Sequence, residues 1–212
     1  MAGRDWLDWH GAYEDPDSTL ARRLRVVQGH IREALDECRP GPLRLISLCA
    51  GQGRDLLGVL PSHLRRDDVT ARLVELDPRN AAVAQQTVDA AGLKRVEARV
   101  GDAALLDQYA DLAPADIVLV CGVFGNIRDQ DVERTIGHCA QLCAAGGFVV
   151  WTRHRRVPDL VPEICEWFDG HGFELRRLSA PGDGFGVGMH QFAGQPQPLA
   201  TGARMFSFDR FI

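Results

Sequence analysis

The sequence lacks an excess of basic charge and lacks any long apolar run. Its net charge is −5 over 212 residues, which argues against a general electrostatic surface for DNA or RNA. No run approaches membrane-spanning length, and residues 1–17 contain no apolar core of the kind found in signal peptides. We therefore expect a soluble, cytoplasmic protein with no nucleic-acid partner and no membrane partner.

Closely paired cysteines are also missing, since none of the six forms a Cys-x-x-Cys pair. Several lie in apolar runs, which favours reduced, buried thiols. Cys139 and Cys143 are one helical turn apart, a spacing that suits core packing better than a metal pair. No motif indicates a metal requirement, and we find no repeat, low-complexity tract or second domain.

The length and the hydrophobic content of 45% suit one domain with a small extension. We predict a helical extension or lid at 1–42, a domain at 43–193 and a C-terminal tail at 194–212 packed on the domain. Apolar residues at spacings of three and four predict a helix in the extension, capped at Asp17 or Ser18.

From residue 43 onward, short apolar runs alternate with helical segments, which predicts an α/β, doubly wound, mostly parallel sheet with helices on both faces. Two final strands, GFELRRLSA and FGVGMHQFA, are joined by the short turn PGDG and should pair antiparallel. Parallel strands are predicted at 43–49, 71–76, 95–100, 116–121 and 146–152. Helices are predicted at about 54–60, 79–91, 103–110, 129–144 and 158–171.

Two motifs together predict a nucleoside site. LISLCAGQGRDLLGVL, residues 45–60, is a strand, a Gly-x-Gly turn and a helix, and LVELDPRN is a buried strand that ends on Glu75. Glycine lets the backbone approach a ligand, and a carboxylate suits ribose hydroxyls. A dinucleotide fingerprint has a third glycine three residues after Gly53, where this chain has Leu56. We therefore predict a ligand that has a ribose and no phosphate.

With VGDAALL and DIVLVCGVFGNI farther along, these motifs resemble the class I S-adenosylmethionine-dependent methyltransferases over roughly residues 43–193. In that family the first motif is an acid followed by Gly-x-Gly-x-Gly. Ser47 and Cys49 stand at the positions of the acid and the first glycine, whereas Gly51 and Gly53 are kept. The resemblance implies a Rossmann-like seven-stranded sheet of order 3-2-1-4-5-7-6 and the cofactor S-adenosyl-L-methionine.

The resemblance also implies which residues contact the cofactor. Glu75 would bind both ribose hydroxyls, and Asp102 would meet the adenine amino group with Ala103 beside the ring. Asp77 is equally consistent with a cap of the following helix. The complete cofactor-binding set is Tyr13, Cys49, Ala50, Gly51, Gly53, Glu75, Leu76, Asp77, Gly101, Asp102, Ala103, Cys121, Gly122 and Val123.

Methyl transfer requires alignment, a dry pocket and sometimes a base. His154 after the fifth strand, Asn126 after the fourth and His10 in the N-terminal lid are the catalytic candidates. Arg153 and Phe124 are candidate substrate-binding residues. The alternatives are a solvated loop of charges for the arginine and core packing for the phenylalanine.

We predict a methyltransferase that acts on a small molecule by SN2 displacement, with oxygen slightly favoured because the arginines near His154 suit an acidic or phenolic acceptor. Two alternatives stay open. One is an enzyme of the same fold that transfers aminopropyl groups or cyclises its substrate, and the other is a non-catalytic cofactor-binding or oligomeric module. The sequence does not decide whether the chain forms a homo-oligomer.

Overall fold

The computed structural model describes residue 13 and residues 15–208. The strands are β1 Leu43–Leu48, β2 Val69–Glu75, β3 Val96–Val100, β4 Ala115–Val120, β5 Cys143–His154, β6 Phe173–Leu178 and β7 Phe185–Phe192. The helices are α1 Thr19–Glu37, α2 Arg54–Leu57, α3 Pro78–Ala90, α4 Asp129–Leu142 and α5 Val161–Gly170. Short 3₁₀ turns lie at Leu60–Ser62, Leu106–Tyr109 and Pro181–Asp183. Within the described residues, no helix has both the length and the apolar character required to traverse a bilayer.

The seven strands form one sheet of order β3-β2-β1-β4-β5-β7-β6, which confirms the predicted order. The first five strands are parallel, and β7 runs antiparallel to both β5 and β6. Neighbouring residues of β1 show why the strands are largely apolar. Ile46 belongs to the core on one face, with Trp151 and Phe168, whereas Leu45 belongs to the core on the other face, with Ile31. A strand buried on both faces is therefore apolar at most positions.

Polar side chains define where two of the helices begin. Ser18 Oγ accepts a hydrogen bond from Ala21 N at 3.0 Å, so Ser18 is the cap of α1. Asp77 caps α3, because its Oδ1 accepts from Arg79 N at 2.9 Å. Both helices therefore start at residues whose side chains satisfy free backbone N–H groups.

The predicted helix at 103–110 is instead a turn followed by the 3₁₀ segment Leu106–Tyr109. Its first residues pair with a C-terminal segment, residues 202–208, that we call the C-terminal strap. Met205 N donates to Ala104 O at 2.8 Å, and Leu106 N donates to Ala203 O at 3.2 Å. Ala104 O and Leu106 N therefore form hydrogen bonds with the strap and not with neighbouring residues of a helix.

Candidate active site

A cavity of about 1190 Å³ opens at the carboxyl ends of β1 to β5, where ligands gather in doubly wound sheets. This volume lies above the usual range for small-molecule pockets, about 300–1,000 Å³. Its wall is made by the loops that follow these strands, by α1 and by the C-terminal strap. The cavity therefore offers more room than one drug-sized ligand needs.

Glu75, at the end of β2, joins the two sequence motifs in space. Its Oε2 accepts from Gly51 N at 2.8 Å, and its Oε1 accepts from Asp77 N at 2.9 Å. Cys49 has φ +48°, Gly51 has φ +55° and Gly53 has φ +72°, so the turn after β1 visits the left-handed region three times. A carboxylate oxygen has two acceptor sites, so each oxygen of Glu75 can still accept a hydroxyl group.

Gly53 contributes to the turn by packing. It has φ +72°, and a Cβ at this position would lie 2.8 Å from Leu57 Cδ1 and from Leu73 Cδ2. Gly53 is not part of the cavity wall. Glycine is therefore favoured here by the left-handed backbone and because a side chain would displace two core leucines.

Asp102 follows β3 and forms a second acidic position on the wall. Its Oδ1 accepts from Ala104 N at 3.0 Å, and its Oδ2 accepts from Arg204 Nη2 at 2.7 Å. Ala103 and Ala104 line the cavity beside it. The acid, two small side chains and a strap residue thus form one edge of the cavity.

A polar cluster of Tyr13, Arg23, Asp55 and Cys121 lines the cavity near the first turn of α2. Burial raises the pKa of the Asp55 carboxyl, while Arg23 opposes that shift. Burial, and next the charge of Asp55, raise the pKa of Tyr13 to about 12. The cluster contains one cation and one anion that line the same cavity.

The loop after β4 is fixed by side chains from β5 and from the loop itself. Gly122 N donates to Thr152 Oγ1 at 2.8 Å, and Asn126 Nδ2 donates to Gly122 O at 2.7 Å. Arg153 Nη1 donates to Phe124 O. The donor groups of Asn126 and Arg153 therefore already hold the loop.

His154 ends β5 and lines the cavity. Burial, then the charges of Arg153 and Arg156, lower its pKa. Its Nδ1 accepts a hydrogen bond from Arg156 N at 3.3 Å. A neutral imidazole that accepts at Nδ1 carries its proton on Nε2 and donates from there.

Most of the residues predicted from the sequence lie together on the cavity wall. Those present are Tyr13, Cys49, Ala50, Gly51, Glu75, Leu76, Asp77, Asp102, Ala103, Cys121, Gly122, Asn126, Arg153 and His154. Those absent from the wall are Gly53, Gly101, Val123 and Phe124. His10 lies outside the described residues.

Val123 and Phe124 are fully buried in the core and do not reach the cavity. The ring of Phe124 packs against Trp151 and Phe168, with centroids 6.1 and 6.5 Å apart. Gly101 donates its N–H to Glu75 O at 2.9 Å. Gly101, Val123 and Phe124 therefore lie outside the cavity wall and pack or bond against residues next to it.

Sequence reasoning missed several residues of the wall. Asp55 was predicted only to begin a helix, although an acid directly after Gly-x-Gly-Arg was a usable signal. The strap residues gave no signal, because they are far from the motifs in the chain. The missed residues include Arg23, Arg54, Asp55, Thr152, Arg204, Phe206 and Phe208.

The chemistry of the wall matches a nucleoside that carries no phosphate. Glu75, Asp77 and Asp102 all line the side of the cavity formed by the ends of β2 and β3. Carboxylates accept hydrogen bonds from hydroxyl and amino groups, whereas they repel phosphates. The residues present therefore fit the adenosyl part of S-adenosylmethionine.

Comparison with known proteins gives the same assignment. Residues 49–151 match the family model described as a methyltransferase domain. No curated protein matches the chain.

Three solved structures illustrate the fold. An O-methyltransferase family protein from Burkholderia thailandensis is 20% identical, with a TM-score of 0.60 over 83% of this chain and 58% of that one. The CurJ carbon methyltransferase is 17% identical, with a TM-score of 0.65 over 87% of this chain and 58% of that one. Magnesium protoporphyrin IX methyltransferase from Synechocystis PCC 6803, solved with bound S-adenosylmethionine, is 15% identical. Its TM-score is 0.68 over 90% of this chain and 92% of that one.

This chain spans less than two thirds of the length of the first two structures. At these identities the structural likeness shows the fold, and the family model covers the segment from the first glycine motif through most of β5. Residues 49–151 therefore match a methyltransferase domain, and the strand order is that of the Rossmann-like methyltransferase fold.

Proposed function

We propose that the enzyme methylates an oxygen atom of a small acceptor that is anionic at neutral pH, such as a carboxylate or an acidic phenol. The observation that carries this proposal is the pairing of Arg156 and His154 on one part of the wall. The structure describes no carboxylate paired with Arg156, and its side chain is exposed. An unpaired cation beside a neutral imidazole suits an anionic ligand.

The cofactor would be held by residues from each end of the cavity. Glu75 would accept from the ribose hydroxyls, and Asp102 would accept from the adenine amino group. Asp55 and Arg23 would pair with the ammonium and carboxylate groups of the amino-acid end. Asp55 would thereby supply the acid that the first motif lacks at Ser47.

When bound, S-adenosylmethionine supplies an activated methyl group on a positively charged sulfur. The protein's own contribution is to align the acceptor and to exclude water. In the proposed reaction, a lone pair of the acceptor oxygen forms the new C–O bond as the C–S bond breaks. An acceptor that is already ionised needs no general base.

His154 would act as a hydrogen-bond donor to the acceptor. Its Nδ1 is occupied by the N–H of Arg156 at 3.3 Å, so its Nε2 carries the proton. The lowered pKa keeps the ring neutral at physiological pH, with the proton on one nitrogen only. We propose that Nε2–H donates to the anionic acceptor while Arg156 balances its charge.

An exposed aromatic ring on the wall and the charge of the protein also support this acceptor class. Phe208 lines the cavity and is 42% exposed, and it packs against the buried Phe206, with ring centroids 5.5 Å apart. An apolar ring in the same cavity as a cation would suit an aromatic acid. The net charge of −5 disfavours a nucleic-acid acceptor.

All six cysteines are free, which supports a cytoplasmic location.

The test is methyl transfer from S-adenosylmethionine carrying a labelled methyl group to a panel of aromatic carboxylates, acidic phenols, amines and thiols. We expect label in methyl esters or ethers, and a KM for the acceptor about tenfold or more higher in Arg156→Met. Arg176→Met, which removes an exposed arginine paired with Glu37, is the matched control. Label found only in amines or thiols would reject the proposal.

A further inference from the structure

The C-terminal strap crosses the two loops that follow β3 and β4. Arg204 pairs with Leu105 and Phe208 pairs with Ile127, both in antiparallel bridges. Three strap residues, Arg204, Phe206 and Phe208, line the cavity. A segment remote from the glycine motif in the chain is therefore part of the binding site.

The strap is held firmly against the domain. Met205 and Phe206 are fully buried, and Met205 O accepts from Arg134 Nε at 2.8 Å. Ser207 N donates to Asp131 Oδ2 at 3.0 Å. These contacts fix the backbone that directly follows Arg204.

The guanidinium of Arg204 fixes one oxygen of Asp102, and the backbone fixes the other. Arg204 Nη2 donates to Oδ2 at 2.7 Å, while Ala104 N donates to Oδ1 at 3.0 Å. The two side chains are 46% and 36% exposed. Ion pairs this exposed contribute little to folding stability. The effect of the pair is therefore to orient the carboxylate on the cavity wall.

We propose that Arg204 is a positioning residue for the cofactor. It holds the Asp102 carboxylate in the rotamer that presents a free acceptor site to the 6-amino group of adenine. Arg204 acts through Asp102 and need not contact the cofactor itself. The inference rests on the proposed contact between Asp102 and adenine.

The experiment measures the affinity of the full chain for two ligands by isothermal titration. The first ligand is S-adenosylhomocysteine, and the second is S-inosylhomocysteine, in which an oxygen replaces the 6-amino group. The variants are Arg204→Met, Arg204→Lys, which keeps a donor and a charge, and Asp102→Ala. The matched control is again Arg176→Met, and the Tm of each variant reports its folding.

We expect Arg204→Met to weaken S-adenosylhomocysteine binding about threefold to tenfold, with the Tm nearly unchanged. The affinity of Arg204→Met for S-inosylhomocysteine should match that of the wild type, because this ligand has no 6-amino group to donate to Asp102. Arg204→Lys should recover part of the lost affinity, and the control should bind both ligands normally. This ligand-selective loss would not arise from a purely structural role.

Two other results would overturn the inference in distinguishable ways. If Asp102→Ala weakens binding but Arg204→Met does not, the adenine contact stands and the positioning role of Arg204 is wrong. Equal weakening of both ligands by Arg204→Met, with a lower Tm, would likewise show a structural role only. If Asp102→Ala leaves both affinities unchanged, the proposed adenine contact itself fails, and the positioning role fails with it.

Discussion

The backbone N–H of Gly51 donates to Oε2 of Glu75 at 2.8 Å, which links the turn after β1 to the acid that ends β2. A second backbone N–H, from Asp77, holds the other oxygen at 2.9 Å. One carboxylate thus organises two loops of the cavity before any ligand binds. A site that is already organised spends less binding free energy on ordering its own groups.

We expect Glu75→Gln to weaken S-adenosylhomocysteine binding at least tenfold, because the amide replaces one acceptor by a donor that faces a backbone N–H. Isothermal titration measures the affinity, and thermal unfolding should show a lower Tm for the same reason. Glu166→Gln, an exposed change on α5, is the control. Wild-type affinity in Glu75→Gln would contradict the assigned role of this carboxylate.

Gly53→Ala should lower the free energy of unfolding by more than left-handed backbone strain alone would. The added Cβ would lie 2.8 Å from two leucine side chains, at φ +72°. Overpacking costs about 1–3 kcal/mol, and left-handed strain adds about 1 kcal/mol. Gly184→Ala is the control, since Gly184 has φ +76° and open space around it. Equal losses of unfolding free energy in chemical denaturation would show that packing at Gly53 is unimportant.

His190 should make the protein sensitive to acid. Burial lowers its pKa to about 3, and its Nδ1 accepts from Trp151 Nε1 at 3.0 Å. The folded pKa lies below the usual value of about 6.5, so this contribution to stability is complete above pH 6.5. Below pH 6.5 it falls by about 1.4 kcal/mol for each pH unit, down to about pH 3.

The measurement is the free energy of unfolding from pH 7 to pH 4 for the wild type and for His190→Gln. The variant keeps an acceptor for the indole N–H but cannot take up a proton in this range. We expect the variant to lose less stability on acidification than the wild type does. Parallel pH profiles for the two proteins would show that His190 is not responsible.

Arg65 should stabilise the end of α1, because it bonds the carbonyl groups that follow the last turn. Its Nη2 donates to Gly41 O at 2.8 Å and to Arg39 O at 3.0 Å, and its Nη1 donates to Cys38 O at 3.2 Å. We expect Arg65→Ala to cost about 2–4 kcal/mol of unfolding free energy. Arg32→Ala, an exposed change on α1, should cost under about 0.5 kcal/mol. Similar midpoints for the two variants in urea would contradict this role.

Short apolar runs separated by glycine and proline predicted most of the sheet, because strands buried on both faces are nearly continuous apolar segments. Helix boundaries were predicted less well. The segment 103–110 has the composition of a helix, yet Ala104 and Leu106 bond to the strap. A distant backbone thus competed successfully with local hydrogen bonds.

The candidate site was partly predictable for a similar reason. Glu75 ends β2 and Asp102 lies two residues after β3, so their positions at one edge of the sheet follow from the parallel order. Phe124 follows β4 in the same way, yet its ring turns into the core. Only the direction of each side chain separates a wall residue from a core residue, and that direction depends on the local turn.

By itself, the sequence determined the fold class and placed acids at the positions where a nucleoside site was predicted, because both depend on local patterns of apolar, glycine and acidic residues. The strand order was expected only from the family resemblance, and the structure established it. The tertiary structure alone decided that Gly53 serves packing, that Asp55 and Arg23 line the same cavity, and that Arg204 meets Asp102. Such contacts join residues far apart in the chain, and only the packing of the folded chain brings them together.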